Sequence, residues 1–180
     1  VVSRINGRPV GVPQDTINAI DTVTIEGYVC DAAGNVLNSN GVVYATVFDK
    51  KTTVSTRGND NSSPIIDFEI QNSVLYQGKA SITDGFYQFS FIMPKDINYS
   101  FGLGRISLYA VADTVEAVGY SDNIIIGGTP PNAKILDFDG PEIQLFMTDT
   151  NFVGGCTVGS NPVVIARLFD ESGINTTGNG

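Results

Sequence analysis

The sequence predicts an all-β protein, an immunoglobulin-like antiparallel β-sandwich followed by a linker and a partial second β domain. Three observations carry this. Apolar or alternating runs are short and are cut by turn residues about every 8 to 12 positions. β-Branched and aromatic residues fill the runs, and 20 Gly and 8 Pro punctuate them. Nowhere do apolar residues hold an i, i+3, i+4, i+7 spacing between caps, so no helix is expected.

Residues Val1–Ile5 read as an edge strand. Val23 to Val29 alternates with period two and closes on the turn cluster Asp31-Ala32-Ala33-Gly34-Asn35. Val42 to Phe48 is more continuously apolar and reads as a central strand buried on both faces. In Ile65 to Ile70, alternation places Ile66, Phe68 and Ile70 on one face. Ser73 to Ile82 is a longer strand weakened at Gly78. Asp84-Gly85 then turns the chain into Phe86–Met93, and this is the strongest hairpin signal recognised in the sequence. In that returning strand Tyr87, Phe89, Phe91 and Met93 share the bulkier apolar face, which is expected to lie in the core. Pro94 stops the strand, because it lacks the donor a ladder needs. Gly104–Ala112 and Tyr120–Ile126 complete about seven strands, the complement of one sandwich.

The breaker cluster Gly127-Gly128-Thr129-Pro130-Pro131-Asn132 marks a boundary. It divides the chain into a sandwich over 1–127 and, over 128–180, a linker with the N-terminal part of a second β domain. The second part offers two strands, Glu142–Asp149 and Pro162–Asp170. Ile143, Leu145 and Met147 face either Val163, Ile165 and Arg167 or Val164, Ala166 and Leu168. Two strands bury too little apolar surface to stand alone, so this piece is expected to pack on the sandwich or, as the favoured route, to complete itself on a second copy. The abrupt start and finish suggest a piece of a larger protein, and Val1-Val2-Ser3-Arg4-Ile5 has no signal-peptide core.

Composition excludes more than it assigns. Across 180 residues the net charge is −9, which disfavours nucleic-acid backbones and anionic membranes as partners. At 42% hydrophobic and 16% charged residues, the chain can build a core. No apolar run reaches the ~18 residues of a membrane span. The absence of His removes Ser–His–Asp triads, Cys–His dyads and His-containing zinc sites. Cys30 and Cys156 are expected to be free thiols, at least one of them buried, and neither is expected to be catalytic, since no imidazole is present to activate them. Gly102-Leu103-Gly104 lacks the third glycine of a dinucleotide loop and precedes a strand. Asp15-Thr16-Ile17, Asp21-Thr22-Val23 and Asp113-Thr114-Val115 lack the glycine of an aspartic-peptidase turn.

Two weaker site expectations remain. Excess carboxylate without His suits only hard cations such as calcium, and Asp137, Asp139 and Glu142 form the best candidate set; the plainer reading is a solvated acidic linker. No other cofactor is expected. If the chain is exported by a bacterium that O-glycosylates Asp-Ser/Thr-aliphatic triplets, the three Asp-Thr-aliphatic triplets make Thr16, Thr22 and Thr114 candidates, against a background of about one chance match.

Several segments resemble a known family. Val43-Tyr44-Ala45-Thr46-Val47-Phe48-Asp49-Lys50, Ser73–Ala80, Phe91-Ile92-Met93-Pro94-Lys95-Asp96-Ile97 and Gly104–Ala110 resemble the region behind the catalytic domain of PorU-type proteins. Gly140–Leu145 and Asp170–Gly178 are similar to the same family in the same order. These are gingipain-family cysteine peptidases that act as the surface sortase of type IX secretion in Bacteroidota. The resemblance implies an exported, cell-surface or outer-membrane-associated protein that cleaves a C-terminal secretion signal and transfers cargo to surface lipopolysaccharide. It implies that the catalytic Cys and His lie in a separate caspase-like domain, so no catalytic residue carries over to a position here. The segment itself would then be a non-catalytic module that scaffolds, or docks its own catalytic domain or secretion cargo. The alternative is an independent adhesive or carbohydrate-binding sandwich, which should show an exposed aromatic platform. The aromatics mostly occupy alternating strand positions, which favours core placement. Tyr99 and Phe101 are the exceptions and read as a plug over one end of the sandwich.

Overall fold

A computed structural model describes residues 1–11, 16–60, 62–113, 115–129, 140–170 and 174. It is all-β among these residues, with strands β1 (Val2–Ile5), β2 (Arg8–Pro9), β3 (Thr22–Tyr28), β4 (Gly41–Phe48), β5 (Thr52–Ser55), β6 (Asp67–Ile70), β7 (Val74–Thr83), β8 (Phe86–Ile92), β9 (Gly102–Ala112), β10 (Val115–Ile126), β11 (Glu142–Met147) and β12 (Val164–Phe169). Eight of them form one antiparallel sheet in the order β10-β9-β4-β7-β8-β3-β1-β2.

That sheet works as two layers. β7 and β8 pair only at Ile82↔Tyr87 and Thr83↔Phe86, next to their turn, and then separate. The chain thus places β10-β9-β4-β7 against β8-β3-β1-β2, with one apolar core between them. The turn is the expected Asp84-Gly85 pair, both residues at positive φ, which suits the right-handed twist of the flanking strands. A Cβ at Gly85 would strike the Leu37 carbonyl oxygen, so only glycine fits there. Asn40 fixes the same end: its side chain accepts from the Asp84 N–H and its backbone exchanges bonds with Asp113.

Alternation builds the core strand by strand. Val23 and Ile25 on β3 oppose Phe91 and Phe89 on β8. Val43, Ala45 and Val47 on β4 oppose Ala110, Leu108 and Ile106 on β9, and all are buried. Tyr87, Phe89, Phe91 and Met93 face inward as expected, and Phe86 faces out. Tyr76 of β7 stacks on this row, 4.4 Å from Phe91 and 5.5 Å from Phe89, ring to ring. The same Tyr76 ring covers Gly78, so the strand runs unbroken through that glycine.

Several expectations change. β4 is central, but it is buried on one face only, with Val42, Tyr44 and Thr46 turned outward. Ile66 and Phe68 are not in the sandwich core: β6 pairs with the unforeseen β5 in a separate two-stranded arm, and both side chains are exposed. β1 is not the edge. Asn6-Gly7 turns it into β2, whose Pro9 occupies the outermost position, where a missing donor costs no ladder bond. The residue of the 94–101 loop that enters the core is Ile97, and Tyr99 and Phe101 lie exposed outside it. Gly127 and Gly128 are tied down by bonds to Ile17 and Tyr99, and Gly128 accepts from Ala19, so the chain stays attached to the sandwich end through position 128.

β11 and β12 pair with each other in the register Ile143↔Leu168, Leu145↔Ala166 and Met147↔Val164. Of the two alternatives, this selects Val164, Ala166 and Leu168 as the cross-strand partners. Ile143, Leu145, Val164 and Leu168 are exposed.

Candidate binding face

The outward residues of β4, β9 and β10 come together by register. Tyr44 opposes Tyr109, and Tyr109 opposes Val118. One row along, Thr46 opposes Ser107, which opposes Tyr120. The inward neighbours Val43, Ala45, Leu108 and Ala110 anchor these strands in the core, so the outward set rests on rigid backbone. The relative exposures are 49% for Tyr44, 39% for Tyr109, 74% for Tyr120 and 84% for Val118. The ring centroids of Tyr44 and Tyr109 are 6.1 Å apart at an interplanar angle of 31°. Tyr44, Thr46, Ser107, Tyr109, Val118, Gly119 and Tyr120 line a shallow trough of about 700 Å³.

The polar groups around the rings are partly fixed. The neighbouring Glu116 carboxylate, through hydrogen-bonding and charge interaction, together with desolvation, pushes the Tyr109 phenol above its ordinary pKa. Lys79 on β7 stands beside Tyr44 and Gln77 beside Thr46. Further along β9 the Arg105 guanidinium lies 4.6 Å above the Phe48 ring, a cation–π contact. A second trough, lined by Phe101, Leu103 and Tyr120 together with the charged Lys50, Lys51, Arg105 and Asp122, shares Tyr120 with the first. Of its lining residues Lys50 is held in place: its Nζ donates to Asp49 Oδ1 at 2.7 Å and to the Asn98 carbonyl at 2.8 Å.

The site residues expected from sequence do not assemble here. Asp137, Asp139 and Thr114 lie outside the described residues. Glu142 is exposed at the start of β11 and accepts from Gln144 at 2.7 Å. No cluster of three or more Cys, Asp or Glu suited to a metal occurs among the described residues. Thr16 is half-buried just before the Ile17 bridge to Ile126, and Thr22 is exposed at the start of β3. Cys30 and Cys156 are both free. Neither is buried: Cys30 is half-exposed in a bridge to Val36 and Cys156 is exposed in a turn. The Asp31 turn is present as expected, with its carboxylate accepting from Ala33, Asn35 and the Asn35 side chain; those bonds, Asn35 foremost, lower the Asp31 pKa.

The tyrosine row is what the sequence reading missed. Alternation defines two faces of a strand, and only one of them is inside. The usable signal was local: Tyr44 sits between Val43 and Ala45, and Tyr109 between Leu108 and Ala110, so the small aliphatic neighbours claim the core and turn each ring out.

Comparison with solved structures gives a strong neighbour. The crystal structure of dimeric latent PorU from Porphyromonas gingivalis matches 94% of this chain at a TM-score of 0.70 and 31% sequence identity. The chain has a PorU-like fold. It spans only 16% of the length of that PorU chain. No family model matches the chain, and no curated protein does. The PorU structure is of a dimeric, latent form. Among the described residues no helix is long and apolar enough to cross a membrane.

Proposed function

We propose that this chain is a non-catalytic β-sandwich module of a PorU-like, gingipain-family cysteine peptidase at the bacterial surface. In it the module scaffolds the enzyme or docks its catalytic domain or secretion cargo during type IX secretion. The observation that carries this reading is the match to PorU over 94% of the chain against 16% of PorU. It is the relation expected of one module to a multidomain parent. The order of the resembling segments, from Val43–Lys50 to Asp170–Gly178, supports the same assignment. We place the sandwich at 1–127 and the second β unit within 128–180. Calcium at Asp137, Asp139 and Glu142 and O-glycans at Thr16, Thr22 and Thr114 are subordinate proposals within that setting.

The side chains present support the reading of a module without catalysis. A thiolate nucleophile needs a base or a cationic neighbour to form at neutral pH. The chain contains no His to activate Cys30 or Cys156. The test is a fluorogenic peptide panel with Arg and Lys at the cleavage point, on which the 180-residue chain should read as buffer. Turnover abolished by Cys156→Ala would overturn the proposal.

A further inference from the structure

We propose that the buried Asp49–Lys50 pair is a positioning device that sets where and in which direction the chain leaves the sandwich at Gly128. Both side chains are only 9% exposed. Burying two charges is costly, and an apolar pair of similar size often serves stability as well or better. The pair joins consecutive residues just past the end of β4, so by itself it ties no distant strands together. Stability alone gives little reason for a charged pair at this place. The reason lies in what the ammonium reaches.

The Lys50 side chain works as a strut. Its foot is fixed between β4 and β7: the Asp49 N–H donates to the Ser73 carbonyl, the Asp49 carbonyl accepts from Gln71 Nε2, and Asp49 Oδ1 accepts from the Lys50 N–H, each at 2.8 Å. Its head is neutralised by Asp49 and donates to the Asn98 carbonyl at 2.8 Å, a contact across 48 positions of sequence. Its stem lies against the backbone of Gly102, where a Cβ would come within 2.7 Å of Lys50 Cδ. Lys50 thus supports the 98–102 loop at both ends.

The departing chain rests on the middle of that loop. The Gly128 N–H donates to the Tyr99 carbonyl at 2.8 Å. A Cβ at Gly127 would stand 2.7 Å from the Ser100 carbonyl oxygen and 2.8 Å from Phe101 Cα, so the two backbones touch directly. Gly127 also has an anchor of its own, because its N–H donates to the carbonyl of Ile17, the residue bridged to Ile126. Two neighbouring amides therefore report on two different supports: Gly128 on the loop above Lys50, and Gly127 on Ile17.

The test is amide hydrogen exchange, followed by NMR, in the 180-residue chain and in its Asp49→Asn/Lys50→Met double variant. That variant removes both charges, while the new carboxamide can still accept from the backbone N–H of position 50. Exchange at Gly128 should accelerate about tenfold or more, exchange at Gly127 should stay within about twofold, and the urea midpoint should be kept. Lys51→Met, which removes the neighbouring exposed ammonium paired with Glu69, should change neither amide. Unchanged exchange at Gly128 in the folded double variant would overturn the proposal. So would both amides accelerating together with a fall in the midpoint, or a double variant that does not fold, since either makes the pair a general stability element. Equal acceleration of Gly128 by Lys51→Met would also overturn it.

Discussion

Phe89 lies in the inner aromatic row, opposite Ile25 on β3 and between Tyr76 and Tyr87, whose ring centroids are 5.5 and 6.4 Å away. Phe89→Ala should cost on the order of 3–5 kcal/mol, because the neighbouring rings are pinned by their own strands and cannot close the cavity. Urea melts giving less than about 1 kcal/mol would show that the row is not packed as described. Tyr87 supplies a pH prediction. Its hydroxyl donates to the Val1 carbonyl at 2.8 Å, and burial raises its pKa well above the ordinary 10.0. The fold therefore favours the neutral phenol. That stabilisation is complete below about pH 10 and is lost as pH rises beyond it. Tyr76 and Tyr109 shift in the same direction and share the effect. The urea midpoint should fall above pH 10, and Tyr87→Phe should flatten the fall; identical slopes in both proteins would exclude Tyr87 as its main source. At this scale the inward placement of Tyr87 to Met93 was legible from bulk alone. The outward placement of Tyr44 was not, because a run of apolar residues looks the same whether one face or two are buried.

Among elements, the β7–β8 hairpin was legible because Asp-Gly at positive φ is a local property of two residues. Asn6-Gly7, also at positive φ, carries the same local signal, but the flanking runs are too short to mark two strands. The β5–β6 arm was illegible for a different reason. Thr52–Ser55 buries nothing, so it leaves no periodic apolar trace, and the position of Phe68 depends on which strand pairs with it. β11 and β12 form an isolated pair that exposes Ile143, Leu145, Val164 and Leu168. Such a pair is marginal in water, and its open edges favour pairing with another chain. Light scattering should therefore find dimers of the full chain and monomers of a chain ending after Gly128. Monomers of both, with the tail protected from protease, would place β11 and β12 on the sandwich instead.

For the whole molecule, antiparallel all-β architecture followed from turn spacing and the lack of helical periodicity. The strand order did not, because nothing local records that β7 and β8 separate after two pairs to make two layers. The proposed function rests mainly on ordered resemblance, with which the PorU-like fold agrees. The central claim is that this chain is the equivalent of one structural module of PorU and supplies its scaffolding or docking role. The most direct measurement replaces the matching region of Porphyromonas gingivalis PorU with this chain and follows removal of the C-terminal secretion signal from cargo by immunoblot. The account predicts that the chimera processes cargo. A chimera that accumulates at the level of intact PorU but leaves cargo unprocessed would contradict it.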